Sequence, residues 1–140
     1  MSVVDEEIAS KQGRCPACGC IGPNTGYNPL SREDMTALYQ SLKPGFWVLS
    51  EDGLKLKRSF KCRNWQAAID FISEVSTIAE SEKIQHHPDI HLTKYRNIEI
   101  VLWTHAAGGL TEYDFKLAKA LESLDVDYSP SWLRSNAEAI

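Results

Sequence analysis

Imidazoles are the groups in this chain best suited to moving protons at neutral pH, and three of its four histidines lie in two short stretches. One stretch is Glu82-Lys83-Ile84-Gln85-His86-His87-Pro88 and the other is Trp103-Thr104-His105. An unperturbed histidine titrates near pH 6.5, so modest tuning lets it act as acid or base. Three imidazoles converging on one cleft suit a reaction in which one atom gains a proton while its neighbour loses one. Loss of water from a carbinolamine fits: the leaving hydroxyl is protonated while the adjacent N–H is deprotonated and C=N forms. Plainer readings stand beside it. A histidine at a helix C-terminus can serve only as a partner for the helix dipole, and His105 at a strand end can be a satisfied polar group of the core. A metal site built from His86, His91 and His105 is open on spacing alone. Adjacent residues such as His86 and His87 point to opposite sides of an extended chain, which is poor geometry for two ligands on one ion.

The cysteines are a second group with chemistry to offer. Cys15-Pro16-Ala17-Cys18-Gly19-Cys20 contains a Cys-x-x-Cys knuckle, half of a zinc site, with Cys62 the one remaining thiol. A distant histidine would have to complete the ligand set. The alternative is a set of reduced thiols in a leader rich in Gly and Pro.

The elements that must position these groups follow from periodicity. Residues 1–30 show no sustained pattern and read as a flexible leader, followed by a domain over 31–125 and a tail over 126–140. Ser31 caps a first helix carrying Met35, Leu38, Tyr39 and Leu42, with Leu30 and Met35 as a hydrophobic staple, and Pro44-Gly45 stops it. Phe46–Ser50 and Leu54–Lys61 flank the turn Glu51-Asp52-Gly53, with Leu54, Leu56 and Phe60 on the buried face. Asn64 caps the longest helix, whose stripe is Trp65, Ala68, Ile69, Ile72, Val75, Ile78 and Ala79. That helix must end by His87, because Pro88 pushes its predecessor out of the helical region. The histidine pair is therefore expected where a frayed helix end opens towards a cleft. Ile90 and Leu92 mark a third strand, Arg96-Asn97 a turn, and Ile98–His105 a fourth strand. Both faces of that fourth strand carry apolar groups, so it is central or meets a partner subunit. Thr111 and Asp114 cap a last helix with Phe115, Leu117, Ala118, Leu121 and Leu124 inside. The tail is polar apart from Trp132-Leu133 and is loose or docked on a neighbour. The expected fold is α+β, a four-stranded antiparallel sheet with three helices packed on one face in the order α-β-β-α-β-β-α.

At 140 residues, with 43% hydrophobic and 24% charged side chains, the chain suits one globular domain. A net charge of -4 argues against general nucleic-acid affinity, and no run is long enough to span a membrane. The acidic start Met1-Ser2-Val3-Val4-Asp5-Glu6-Glu7 is unlike a signal or transit peptide, so a cytoplasmic location is expected, with a nuclear or organellar pool left open.

The spacing Glu82-x-x-x-His86-His87-Pro88, six residues to Tyr95, nine to His105 and eight to Asp114, resembles the signature of the pterin-4a-carbinolamine dehydratases. That family includes the dimerization cofactor of a homeodomain transcription factor. The resemblance extends from about Ser31 to Leu124 and takes in Gly45-Phe46-Trp47 and Gly109-Leu110-Thr111-Glu112. It implies dehydration of 4a-hydroxytetrahydropterin in tetrahydrobiopterin recycling, serving an aromatic amino-acid hydroxylase, with the pterin as substrate and neither cofactor nor metal. It implies His86 and His105 as general acids and bases and His87 as mainly holding the pterin. Gln85, Trp103, Thr104 and Ala106 would line the substrate, with Glu82 and Asp114 in support. Vertebrate members carry Glu where this chain has Ala106, so only a backbone contact is implied there. A homodimer or homotetramer is implied, as is a second function class on the same fold, a non-enzymatic coactivator or assembly protein.

Overall fold

The computed structural model of the protein describes residues 28–137. The Cys15, Cys18 and Cys20 knuckle lies outside these residues. Within them the elements run α1 (Arg32–Gln40), β1 (Val48–Leu49), β2 (Leu56–Lys61), α2 (Trp65–Glu80), β3 (Asp89–Thr93), β4 (Asn97–Leu102), α3 (Glu112–Glu122) and α4 (Pro130–Ser135). All four strands pair antiparallel in the order β1-β2-β4-β3, which makes β4 central, as its two-sided apolar pattern demands. The expected α+β architecture is present, with α4 as a short addition after α3.

The register explains which side chains can be buried. Leu56 lies opposite Leu102 and Phe60 opposite Ile98, and with Ile100 these form the floor beneath the helices. Ala68, Phe71, Val75 and Ala79 of α2 and Phe115, Leu117, Ala118 and Leu121 of α3 cover that floor. Phe60 meets Phe71 edge to face with ring centres 5.0 Å apart. Asn64 accepts a hydrogen bond from the Ala67 N–H at 2.9 Å and so starts α2.

Several local expectations are corrected. Leu54 is 40% exposed, because the ladder begins only at Leu56 and leaves Leu54 in the turn. The inner position between Leu56 and Phe60 is Arg58, which is buried. Its guanidinium lies 3.4 Å from the Phe46 ring centre and donates to the Tyr128 hydroxyl at 2.6 Å. Trp65 is exposed while Phe71, which the periodic stripe omitted, faces the core. The β3–β4 turn falls at Lys94 and Tyr95, both left-handed at φ 48° and 57°, and Asn97 already belongs to β4. The segment after α3 docks on its own domain: Ser129 N–H donates to the Lys61 carbonyl at 2.9 Å and Tyr128 pairs with Cys62.

Candidate active site

The end of α2 sets up the first half of the site. The helix stops at Glu80 rather than running on to the histidines, and the chain folds back on its last turn. Gln85 N–H donates to the Ser81 carbonyl at 2.9 Å and His86 N–H to the Ala79 carbonyl at 3.2 Å. Gln85 adopts φ 42° to make this reversal, and Pro88 then leads into β3. His86 is thereby turned inward, whereas the frayed helix end led us to expect it facing an open cleft.

His86 is fully buried, and its Nε2 lies 2.6 Å from Asp114 Oδ1. Asp114 is equally buried. Its Oδ2 accepts from the Thr104 hydroxyl at 2.7 Å and from the Thr111 N–H at 2.9 Å. Thr104 and Thr111 hydroxyls are themselves 2.7 Å apart. One carboxylate thus closes the N-terminus of α3, meets His86 and holds the end of β4. The ring of Tyr113 stands 6.3 Å from that of His86, giving the imidazole an aromatic wall.

The neighbours of these inward residues point outward, as alternation along an extended chain requires. His87 is exposed and its Nε2 lies 2.6 Å from Glu80 Oε1, so Glu80 and not Glu82 is its carboxylate partner. Glu82 is exposed. His105 is also exposed, with Nε2 4.0 Å from Asp89 Oδ2. Its ring lies against Trp103, centroids 3.9 Å apart and planes tilted by 31°. Trp103 Nε1 donates to the same Asp89 oxygen at 3.0 Å, and Lys55 Nζ sits 4.7 Å over the indole. Asp89 pairs across the sheet with Val101, so β3 and β4 hold this group together.

Of the expected site residues, the structure brings Thr104, Asp114 and His86 into one hydrogen-bonded group and Trp103 and His105 into another. Gln85 and Ala106 are half-buried beside them in the chain. Asp89, Thr111 and Glu80 were not foreseen. Thr111 and Asp114 were legible as a cap, but the link from cap to histidine needs the tertiary fold. Asp89 follows Pro88 directly, and that adjacency was the one available signal. Among the described residues, no three His, Cys, Asp or Glu side chains gather closely enough to hold a metal ion. His105, beside Trp103 and Asp89, and His87, beside Glu80, are exposed imidazoles that can each give or take a proton.

A family model described as pterin 4 alpha carbinolamine dehydratase matches residues 28–124. A pterin-4-alpha-carbinolamine dehydratase 2, mitochondrial, of Arabidopsis thaliana is 40% identical over 107 residues. The match covers 71% of this chain and 56% of the plant protein, so the chain spans little more than half of that relative. A putative pterin-4-alpha-carbinolamine dehydratase of Rubrobacter xylanophilus is 38% identical over 118 residues, 84% of this chain and 98% of that protein. Among solved structures, the transcriptional coactivator/pterin dehydratase from Brucella melitensis superposes with a TM-score of 0.58 at 28% identity, covering 69% of this chain and 97% of that one.

Proposed function

The chain belongs to the pterin 4 alpha carbinolamine dehydratase family, and we propose that it is a hydro-lyase that eliminates water from 4a-hydroxytetrahydropterin. The observation that carries the reading is His105, exposed, lying against the Trp103 ring and facing the Asp89 carboxylate at 4.0 Å. An indole beside a titratable group suits a flat, polar bicyclic substrate. The C4a–O bond breaks as an imidazolium gives its proton to the departing hydroxyl, which leaves as water. The N5–H proton passes to a neutral imidazole, and its bonding electrons form C4a=N5 of the quinonoid dihydropterin. The acid and base then exchange protons with solvent and reset.

His105 is the proposed acid, and His87 holds the pterin from the facing segment. His86 acts from behind them, fully buried and held by Asp114 through Nε2. Gln85 and Ala106 remain proposed lining residues of the same segments, whereas the buried side chain of Thr104 faces away from the substrate. The proposed setting is tetrahydrobiopterin recycling beside an aromatic amino-acid hydroxylase, by a homo-oligomer in the cytoplasm. None of the described helices is long and apolar enough to cross a membrane. The test is conversion of synthetic 4a-hydroxytetrahydropterin followed by its absorbance. Turnover above the spontaneous rate supports the proposal, and a rate equal to the spontaneous one refutes it.

A second reading, the coactivator or assembly protein that the family resemblance implies, is also in the name of the Brucella structure. A macromolecular complex that survives replacement of all three site histidines would favour it.

A further inference from the structure

We infer that Thr104 is a positioning residue whose hydroxyl, acting through Asp114, fixes His86 and the spacing of the two exposed histidines. This rests on the dehydratase reading for its effect on rate, though not for its geometry. Thr104 is completely buried, so its side chain cannot line the substrate as the family resemblance implies.

A proton inventory settles who donates. Thr104 has one hydroxyl proton, and at 2.7 Å it is given to Asp114 Oδ2. Thr111 must then donate its own hydroxyl proton to the Thr104 oxygen, 2.7 Å away. The Thr111 N–H also points at Oδ2, at 2.9 Å. An ionised carboxylate only accepts, so the 2.6 Å contact of its Oδ1 is an N–H given by His86 Nε2. The imidazole therefore carries a proton on Nε2, and its orientation is set from Asp114.

The same contacts measure out the site. Thr104 immediately precedes His105, and His86 immediately precedes His87. Both inward residues are bound to one carboxylate, so both outward residues are referred to one point. Thr104 also receives the loop that follows His105: its carbonyl accepts from Gly108 N–H at 2.9 Å, while its own N–H donates to the Gly109 carbonyl at 2.9 Å. Loss of the hydroxyl releases Oδ2 from β4 while leaving these backbone bonds in place. Misplacement of catalytic groups by about 1 Å is enough to cost a factor of about 10² in rate.

Thr104→Val keeps the shape and removes the hydroxyl; Thr104→Ser keeps the hydroxyl and removes the methyl. We expect Thr104→Val to lower kcat about tenfold or more with KM within about threefold of wild type, and Thr104→Ser to retain at least about half of wild-type kcat. Long-range ¹H–¹⁵N spectra should show the His86 Nε2–H form in wild type and Thr104→Ser and a mixture of tautomers in Thr104→Val. This spectroscopic arm holds even if no dehydration is found, which separates failure of the inference from failure of the dehydratase reading. Wild-type kcat together with an unchanged His86 spectrum in Thr104→Val overturns the inference. If Thr104→Val does not fold, Thr104→Ser decides alone: a tenfold fall in its kcat, or loss of its Nε2–H signal, overturns it.

Discussion

The three site histidines differ chiefly in what surrounds them, and that difference predicts different failures on substitution. His105 is exposed and lies 4.0 Å from the Asp89 carboxylate, so His105→Ala removes a functional group without opening a cavity. Its unfolding free energy should stay within about 0.5 kcal/mol of wild type, the usual range for exposed positions. His86→Ala strips Asp114 of a donor at 2.6 Å inside a fully buried group. Stability should fall by about 2–4 kcal/mol, since an orphaned buried charge costs more than a lost contact. Urea denaturation distinguishes the two: equal stability losses would contradict the placement of His86. Alternation correctly separated His86 from His87. It did not reveal which of the pair faces inward. That choice depends on the left-handed Gln85 and on Asp114, which lies 28 residues away in the chain.

At the scale of elements, the end of β2 and the segment after α3 behave as one unit. Tyr128 accepts from Arg58 at 2.6 Å and meets Phe60 edge to face at 5.7 Å. Burial draws the Arg58 guanidinium down to about 10, and the Tyr128 hydroxyl is its one side-chain hydrogen-bond partner among the described residues. Tyr128→Phe should therefore cost about 1.5–3 kcal/mol in urea unfolding, the range for a bond to a charged group. A loss below about 0.5 kcal/mol would show that the segment does not hold Arg58. The adjoining Cys62 thiol is buried, and burial raises it from 9.0 to about 11. A raised native value means the folded protein keeps a proton that the unfolded chain gives up. The contribution is complete below pH 9.0 and is lost as pH rises towards about 11. Replacement by Ser should flatten the fall in stability over that window, and an unchanged alkaline slope would contradict the assignment. Helix caps at Ser31, Asn64 and Thr111 and the alternation of β4 were readable because they depend on near neighbours. Arg58 was missed because a cation between two apolar residues of one face reads as solvated until Phe46 and Tyr128 close over it.

For the molecule as a whole, the order of elements was legible in periodicity, whereas the strand order was not. Pairing β2 with β4 rather than with β3 follows from tertiary packing, while the β3–β4 pairing sets the start of β3, just after His86 and His87, beside the end of β4, just before His105. Those neighbours bring Asp89 beside Trp103 and His105 on one flank and Thr104 to Asp114 on the other. The proposed homo-oligomer predicts a solution mass of two or four chains by light scattering, and a strict monomer would contradict that part of the account. The central claim is that exposed His105 passes protons to and from a pterin carbinolamine. Its most direct test is stopped-flow dehydration of synthetic 4a-hydroxytetrahydropterin by wild type and His105→Ala. The account predicts wild-type turnover well above the spontaneous rate, with kcat lowered about 10²-fold in a fully folded His105→Ala protein. Equal kcat in the two proteins would contradict it.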